Sequence, residues 1–238
     1  MHYLNSYQPL AFSKEGREVV SVYGLLPFVD ASCRREPDFE SPYPSITAIC
    51  RFRLFAPRLC VGDSVAYITW KGSYPNEGTR HRREIALLKI LHTFKSHYEA
   101  AEWYRLNRLQ TPSNCIVFGN PPMPLEKTNR YLSDLRNWDA RYRLRASKCG
   151  VFHVCEQEFL DLSSPPTLFE ETMVGIFGFI PKTRVPPAIT KQQYEELKIL
   201  AMNHQNLKTI TKYFHSTVTL LARFLGLSTS QPRATAMW

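Results

Sequence analysis

The sequence predicts an α+β fold: a small curled β-barrel with helical insertions, followed by a C-terminal helical hairpin. Three observations carry this expectation. Short apolar and β-branched runs recur at uneven spacing, and basic loops interrupt them. Two capping boxes and two stripes of apolar residues at helical spacing mark the helices. Strand and helix signals do not alternate regularly, which excludes a doubly wound parallel sheet.

Each element has its own warrant. Residues 19–26 are apolar and β-branched at the start, and predict a first strand; 31–44 are rich in charge, Ser and Pro and predict a loop. Further strands are expected over 46–52, 64–69 and 84–94, with a polar, basic loop over 70–83 that carries Gly72, Pro75, Asn76 and Gly78. Ser96 and Glu99 form a capping box that opens a helix over about 97–109. Residues 115–119 read as a strand, stopped by Asn120-Pro121-Pro122-Met123-Pro124. Tyr131, Leu135, Trp138 and Tyr142 recur at steps of four, three and four, one face of a helix. Its other faces carry Lys127, Arg130, Arg136, Arg141, Arg143, Arg145 and Lys148 against Asp134 and Asp139. The last strands are expected over 150–155 and 173–180. Residues 181–187 read as a linker between a domain over 1–182 and a helical hairpin over 189–227. Thr190 and Gln193 cap its first helix, 203–206 break it, and Leu207, Ile210, Phe214, Val218, Leu221 and Leu225 stripe the second. Residues 228–238 are expected to fray.

Composition narrows the class. A content of 44% hydrophobic residues is ample for a packed core and argues against disorder. A formal net charge of +9 favours a polyanionic partner through counterion release, or serves solubility alone. The first ten residues are polar and lack the apolar core of a signal peptide, and no apolar run reaches the length of a membrane span. The expectation is a cytoplasmic protein without a membrane partner, its six cysteines reduced.

A spaced signature fills the first half: Asp30; Arg34-Arg35-Glu36-Pro37-Asp38-Phe39; Ile46-Thr47-Ala48-Ile49-Cys50-Arg51; Pro57-Arg58; and Gly62-Asp63 before an aliphatic strand. Downstream lie 86–94, Tyr98, Trp103 and Tyr104. In this order, over roughly residues 20–180, the pattern resembles the nucleotide-modification-associated domain family, found beside phage and bacterial DNA-modification genes. Two departures stand out: Ala31 follows the first Asp where the family has Gly, and the turn reads Arg34-Arg35-Glu36-Pro37. The resemblance implies a PUA-like β-barrel, a fold that commonly reads modified or flipped bases.

The expected function is therefore binding of nucleic acid, with DNA favoured, by recognition of a modified or flipped base in a DNA-modification or phage-defence system. Such a site needs cations for phosphate and aromatic planes for stacking. Trp70, Lys71 and Tyr74 offer both within five residues, Arg80, Arg82 and Arg83 follow, and Gly72 would let backbone approach a ligand. Arg34, Arg35, Arg51, Arg136 and Arg143 complete the expected contact set, although a charged loop with internal ion pairs explains Arg34 and Arg35 equally. One alternative is an enzyme altering a nucleotide or DNA base in the same pocket, with Asp30, Arg35 and Asp63 as its polar groups. Another is a structural subunit, with self-association or a protein partner held by the C-terminal helices.

Other motifs carry less. Cys149, His153 and Cys155 share strand parity, but a zinc site needs a fourth ligand such as Cys115 or His92, and buried apolar cysteines are the reading adopted. Asn120-Pro121-Pro122-Met123 is similar to the Asn-Pro-Pro-aromatic motif of amino-group methyltransferases, with Met in place of the aromatic and no Gly-rich loop for S-adenosylmethionine. No nucleophile elbow or P-loop is present, and neither a metal nor a cofactor is expected.

Overall fold

A computed structural model describes residues 1–74, 78–129 and 135–224. Its centre is a mixed sheet of seven strands: β1 (His2–Tyr7), β2 (Ser45–Thr47), β3 (Ser64–Thr69), β4 (Arg82–Phe94), β5 (Phe152–Leu160), β6 (Thr167–Leu168) and β7 (Ala188–Ile189). Five α-helices accompany it among the described residues: α1 (Lys14–Tyr23), α2 (His97–Leu106), α3 (Leu135–Lys148), α4 (Glu170–Phe177) and α5 (Lys191–Phe224). The strand order is β2-β5-β4-β3-β1-β7, and β6 pairs with the start of β4. β1 runs parallel to β3, and the other pairings are antiparallel. The chain is thus α+β as expected, but the sheet is open, with β2 and β7 at its edges, and does not close into the expected barrel.

The two faces of the sheet differ. One carries Leu4, Ala66, Ile68, Leu87 and Phe159 and is covered by Met173 and Phe177 of α4 and by Tyr194, Leu197 and Ala201 of α5. The other carries Tyr3, Tyr7, Val65, Tyr67, Leu88, Ile90 and Cys155 and is covered by Val19 and Val20 of α1 and by Phe28, Phe39 and Phe55 from the loops. β1 escapes sequence reading because its residues alternate no apolar and polar faces; it is buried on both sides, beside β3.

Two expected strands are helices, and their ends explain why. At α1, Ser13 Oγ accepts from the Gly16 amide at 3.0 Å and Gly24 closes the helix with a φ of 62°. A Cβ at Gly16 would lie 1.7 Å from the Leu10 carbonyl oxygen, so only glycine allows this approach. These caps outweigh the strand preference of the β-branched residues at 19–22. At α4, Glu170 and Glu171 occupy the first turn, Met173 and Phe177 share a face, and Gly178 caps the end with a φ of 76°.

Residues 115–119 form turns rather than a strand, with the Ile116 amide donating to His97 Nδ1. The expected helical hairpin is one continuous helix of 34 residues. Residues 203–206 do not break it, because Asn, His and Gln cost only a few tenths of a kcal/mol each. Tertiary anchors also hold the helix there: His204 Nε2 lies 2.7 Å from the Ser164 carbonyl oxygen and Lys208 pairs with Asp161. The Thr190–Gln193 capping box forms reciprocally, at 3.1 and 2.9 Å. At α2, the Glu99 amide donates to Ser96 Oγ, and the Glu99 carboxylate accepts from the Lys95 amide instead of that of Ser96. No helix among the described residues is long and apolar enough to cross a membrane.

Glu84 is the anomaly of the helix-covered face. It lies across from Ile68, is fully buried, and neither carboxyl oxygen has a hydrogen-bond partner. Burial pushes this carboxyl well above its ordinary 4.5, so the folded chain favours the protonated form. The group's contribution to stability is complete below the unfolded value and is lost as the pH rises toward the folded one. Glu84→Leu is expected to raise stability by about 1–3 kcal/mol. The gain should be larger at pH 8 than at pH 5, as read by urea unfolding at both.

Candidate functional site

The loop-covered face of the sheet holds a cavity of about 780 Å³. Its walls come from the end of β1, Tyr67 of β3, residues 30–37 and 47–55, and Trp138, Tyr142, Arg145 and Lys148 of α3. The volume lies within the range of small-molecule sites. Its aromatic lining is Tyr7, Tyr67, Trp70, Trp138 and Tyr142, and its cations are Arg51, Arg145, Lys148 and Arg184.

Two buried carboxyls line the cavity. Asp30 Oδ1 accepts from the amides of Ser32 and Glu36, at 2.8 and 3.1 Å. Burial pushes Asp30 up to about 6, against those donors and the nearby Arg35. Glu36 accepts from the Thr47 amide at 2.9 Å, from Thr47 Oγ1 at 2.7 Å and from Asn114 Nδ2 at 2.9 Å. Burial still pushes it up to about 8. The Ser32 hydroxyl, also lining the cavity, is enclosed beside the Asp30 carboxyl, which it helps to hold down, and Tyr142.

The structure sorts the expected site residues into three groups. Asp30, Arg51 and Trp70 line the cavity. Trp70 is 44% exposed and meets Phe12 edge-on. Arg51 spends its guanidinium on the carbonyls of Ser6 and Arg184, and so ties β1 to the segment before β7.

The second group is interior. Arg34 is fully buried: Nε bonds Asp139 at 2.6 Å and Nη1 bonds the carbonyls of Ser113 and Asn120. Arg35 is enclosed too, donating to the carbonyls of Asp30 and Lys127 and lying 3.4 Å from Glu40. Neither presents its charge to a phosphate. Tyr74 is a core residue, its hydroxyl bonded to the Trp70 carbonyl and its ring against Phe12, Phe28 and His81. Gly72 serves that packing, since a Cβ there would press on the rings of Phe12 and Tyr74. Arg83 is buried against His81 and the Pro165 carbonyl. Asp63 holds the N-terminal ammonium and the Cys60 amide and does not line the cavity. Asp30, Arg35 and Asp63 therefore do not converge as one polar constellation.

The third group lies outside the cavity. Lys71 pairs with Glu170, Arg80 donates to the Lys71 carbonyl, Arg82 to the Thr69 carbonyl, and Arg143 pairs with Asp139 one turn away. The Arg136 side chain lies outside the described residues. The remaining motifs are also placed. Both ring nitrogens of His153 are engaged, by Thr93 Oγ1 and the Ala56 carbonyl, and the described residues contain no metal-holding cluster. Asn120 Nδ2 donates to the carbonyls of Pro112 and Cys115, so this amide staples its own loop.

Sequence reading missed Tyr7, Ser32, Tyr67 and Asn129 as cavity residues, whereas Glu36 lies in the loop expected to face the pocket and does line it. Tyr142 was legible only as part of an apolar helix face. Comparison with protein-family models, curated proteins and solved structures finds no match for this chain.

The interior placement of Arg34 has a measurable consequence. Arg34→Ala leaves two carbonyls without their donor and Asp139 with Arg143 alone, and should cost about 3–5 kcal/mol in a denaturation experiment. Arg80→Ala, on the exposed loop, should stay within about 0.5 kcal/mol.

Proposed function

We propose that the cavity is a nucleobase-binding pocket and that the chain binds nucleic acid, DNA by preference. One observation carries this reading: aromatic rings, a buried carboxyl and a cationic rim meet in a single cavity of nucleotide size. Aromatic planes stack on any base, and a carboxyl supplies a hydrogen-bond partner for a base edge. Lys148 and Arg184 line the same cavity and would supply charge for a backbone phosphate of an inserted nucleotide, as would Arg145, whose Nη1 also bonds the Ile49 and Cys50 carbonyls. A base inside such a cavity has left its stack, which favours single-stranded or flipped substrates. The resemblance to the nucleotide-modification-associated domains points the same way, to a modified base and a DNA-modification or phage-defence setting. That resemblance rests on the residue pattern alone, and the pocket reading does not require a closed barrel.

Anisotropy titration of short single strands and duplexes across a salt series tests the reading. Trp70→Ala should weaken binding of a single strand by about 1–3 kcal/mol. Lys148→Ala should lower the salt slope by about one phosphate contact. Unchanged affinity in Trp70→Ala, with binding that collapses with salt, would leave only a diffuse basic surface.

A second reading concerns α5. Beyond Lys208 the helix leaves the body, and Leu207, Ile210, Tyr213 and Phe214 are 64–71% exposed. In sequence, Leu207, Ile210, Phe214, Thr217, Leu221 and Phe224 alternate steps of three and four, the seven-residue repeat of a helix that pairs with another helix. We propose that this half of α5 self-associates with a second copy of the chain. Sedimentation velocity should show a dimer or larger species, and the double substitution of Ile210 and Phe214 by Ser should leave a monomer with its fold intact. A wild-type monomer at high concentration would overturn it.

A further inference from the structure

We infer that the ligand of the cavity carries a terminal phosphate monoester, as a free nucleotide or the phosphorylated end of a strand does, and is not a nucleotide inside a continuous strand. The inference rests on the base-pocket reading and adds how the bound nucleotide presents its charge. Its basis is the grouping of the cations. Four line the cavity: Arg51, Arg145, Lys148 and Arg184. Contacts join them into one cluster. Arg145 Nη1 donates to the carbonyls of Ile49 and Cys50, at 2.8 and 2.9 Å, directly before Arg51. Arg51 Nη1 in turn donates to the Arg184 carbonyl. Lys148 follows Arg145 by three residues on α3, which puts both on one side of the helix. Among the described residues no carboxylate pairs with any of the four. The two carboxyls of the lining, Asp30 and Glu36, are engaged with protein amides and hydroxyls instead.

Clustered like charges repel, and an anion between them relieves the repulsion. Elsewhere the chain supplies that anion itself: Arg34, Lys71, Arg143 and Lys208 each have a carboxylate. At the cavity it does not. Arg51 and Arg145 are half-buried and fixed by backbone carbonyls, which hold their charge in place before any ligand arrives. Lys148 and Arg184 are exposed, and among the described residues nothing bonds the Lys148 ammonium or the Arg184 guanidinium. The shape of the ligand then decides its class. A nucleotide inside a strand has a phosphodiester on each side of its sugar, and the strand leaves the pocket in two directions. A site for it tracks the backbone with cations along both. Here the lining cations form one group, and apart from the two buried carboxyls the remaining lining is uncharged. A terminal monoester instead gathers about two charges and three acceptor oxygens at one point near neutral pH. Guanidinium forks and an ammonium converging on one place suit such a group.

The test uses the full chain and competition against a fluorescent single strand. The competitors are mixed-sequence nonamers with a 5′-phosphate or a 3′-phosphate, and an unphosphorylated undecamer of the same total charge. The four deoxynucleoside 5′-monophosphates and the four deoxynucleosides complete the set. One of the phosphorylated nonamers should compete about tenfold more strongly than the undecamer, the gain that a charge-assisted hydrogen bond provides. Monophosphates that compete as strongly as that nonamer would name a free nucleotide as the source; monophosphates that do not would name a strand end. The double substitution Lys148→Ala and Arg184→Ala removes two exposed side chains that hold nothing within the protein, and should erase the preference while leaving the fold intact by circular dichroism. The assignment is overturned if neither phosphorylated nonamer exceeds the undecamer and the monophosphates do not exceed the nucleosides, or if the preference survives in the double variant. Trp70→Ala separates the two levels: if it weakens every ligand while the terminal phosphate is ignored, the pocket stands and the phosphate assignment fails; if it weakens none, the pocket reading itself fails.

Discussion

The cavity side of this protein depends on one buried carboxyl, that of Glu36. Its three donors, the Thr47 amide, Thr47 Oγ1 and Asn114 Nδ2, come from two distant segments. Removing a carboxylate from water is costly unless its oxygens are met, so these bonds are a condition of folding rather than an ornament. Asp38 repeats the device alongside, holding the amide and hydroxyl of Ser113. Together they fasten the 30–47 loop to the 112–120 loop, and Arg34 bolts α3 onto both. The most charged stretch of the first half is thus an interior framework.

This framework explains why the two faces of the sheet are built so differently. The face under α4 and α5 is largely apolar around Glu84, with His2 stacked on Tyr194 of α5 and the Tyr194 hydroxyl bonded to Glu158, and regular helices suffice to cover it. The opposite face is covered by loops, whose backbone groups cannot satisfy one another as a helix does. Side-chain carboxylates and guanidinium groups supply the missing partners. A covering of loops packs less regularly than a helix, and the cavity lies where the end of β1, the 30–37 loop and α3 meet without filling the space.

The site inherits its chemistry from that construction. Asp30 shapes the turn with one oxygen and also lines the cavity, so the same side chain belongs to the framework and to the cavity wall. Trp70 follows directly after β3, which places a large ring at the cavity, while Tyr74 packs inward. The cations that line the cavity come from the 47–55 segment, α3 and the segment before β7 rather than from the basic run at 80–83.

Local signals made the central elements legible. The β-branched run at 64–69, the long apolar stretch ending at Phe94, the Ser96 and Thr190 caps and the stripe of Trp138 and Tyr142 all act within a few residues, and all form as read. The caps of α1 and α4 were equally present, in Ser13, Gly24 and Gly178, but β-branched and apolar content was weighed above them. Asp30 and Trp70 were legible as residue types suited to a ligand. Sequence alone therefore determined an α+β chain of net positive charge and the β2, β3, β4 and β5 strands of its sheet, but not β1, β6 or β7, because propensity, capping and periodicity are short-range. Only the tertiary structure decided that the sheet stays open, that Arg34 and Arg35 turn inward, that Asp63 anchors the N-terminus, and that Asp30 meets Tyr142 across a cavity. Those outcomes depend on which distant carboxylate or carbonyl meets each charge, and burial, not residue type, decides whether an arginine is a strut or a contact.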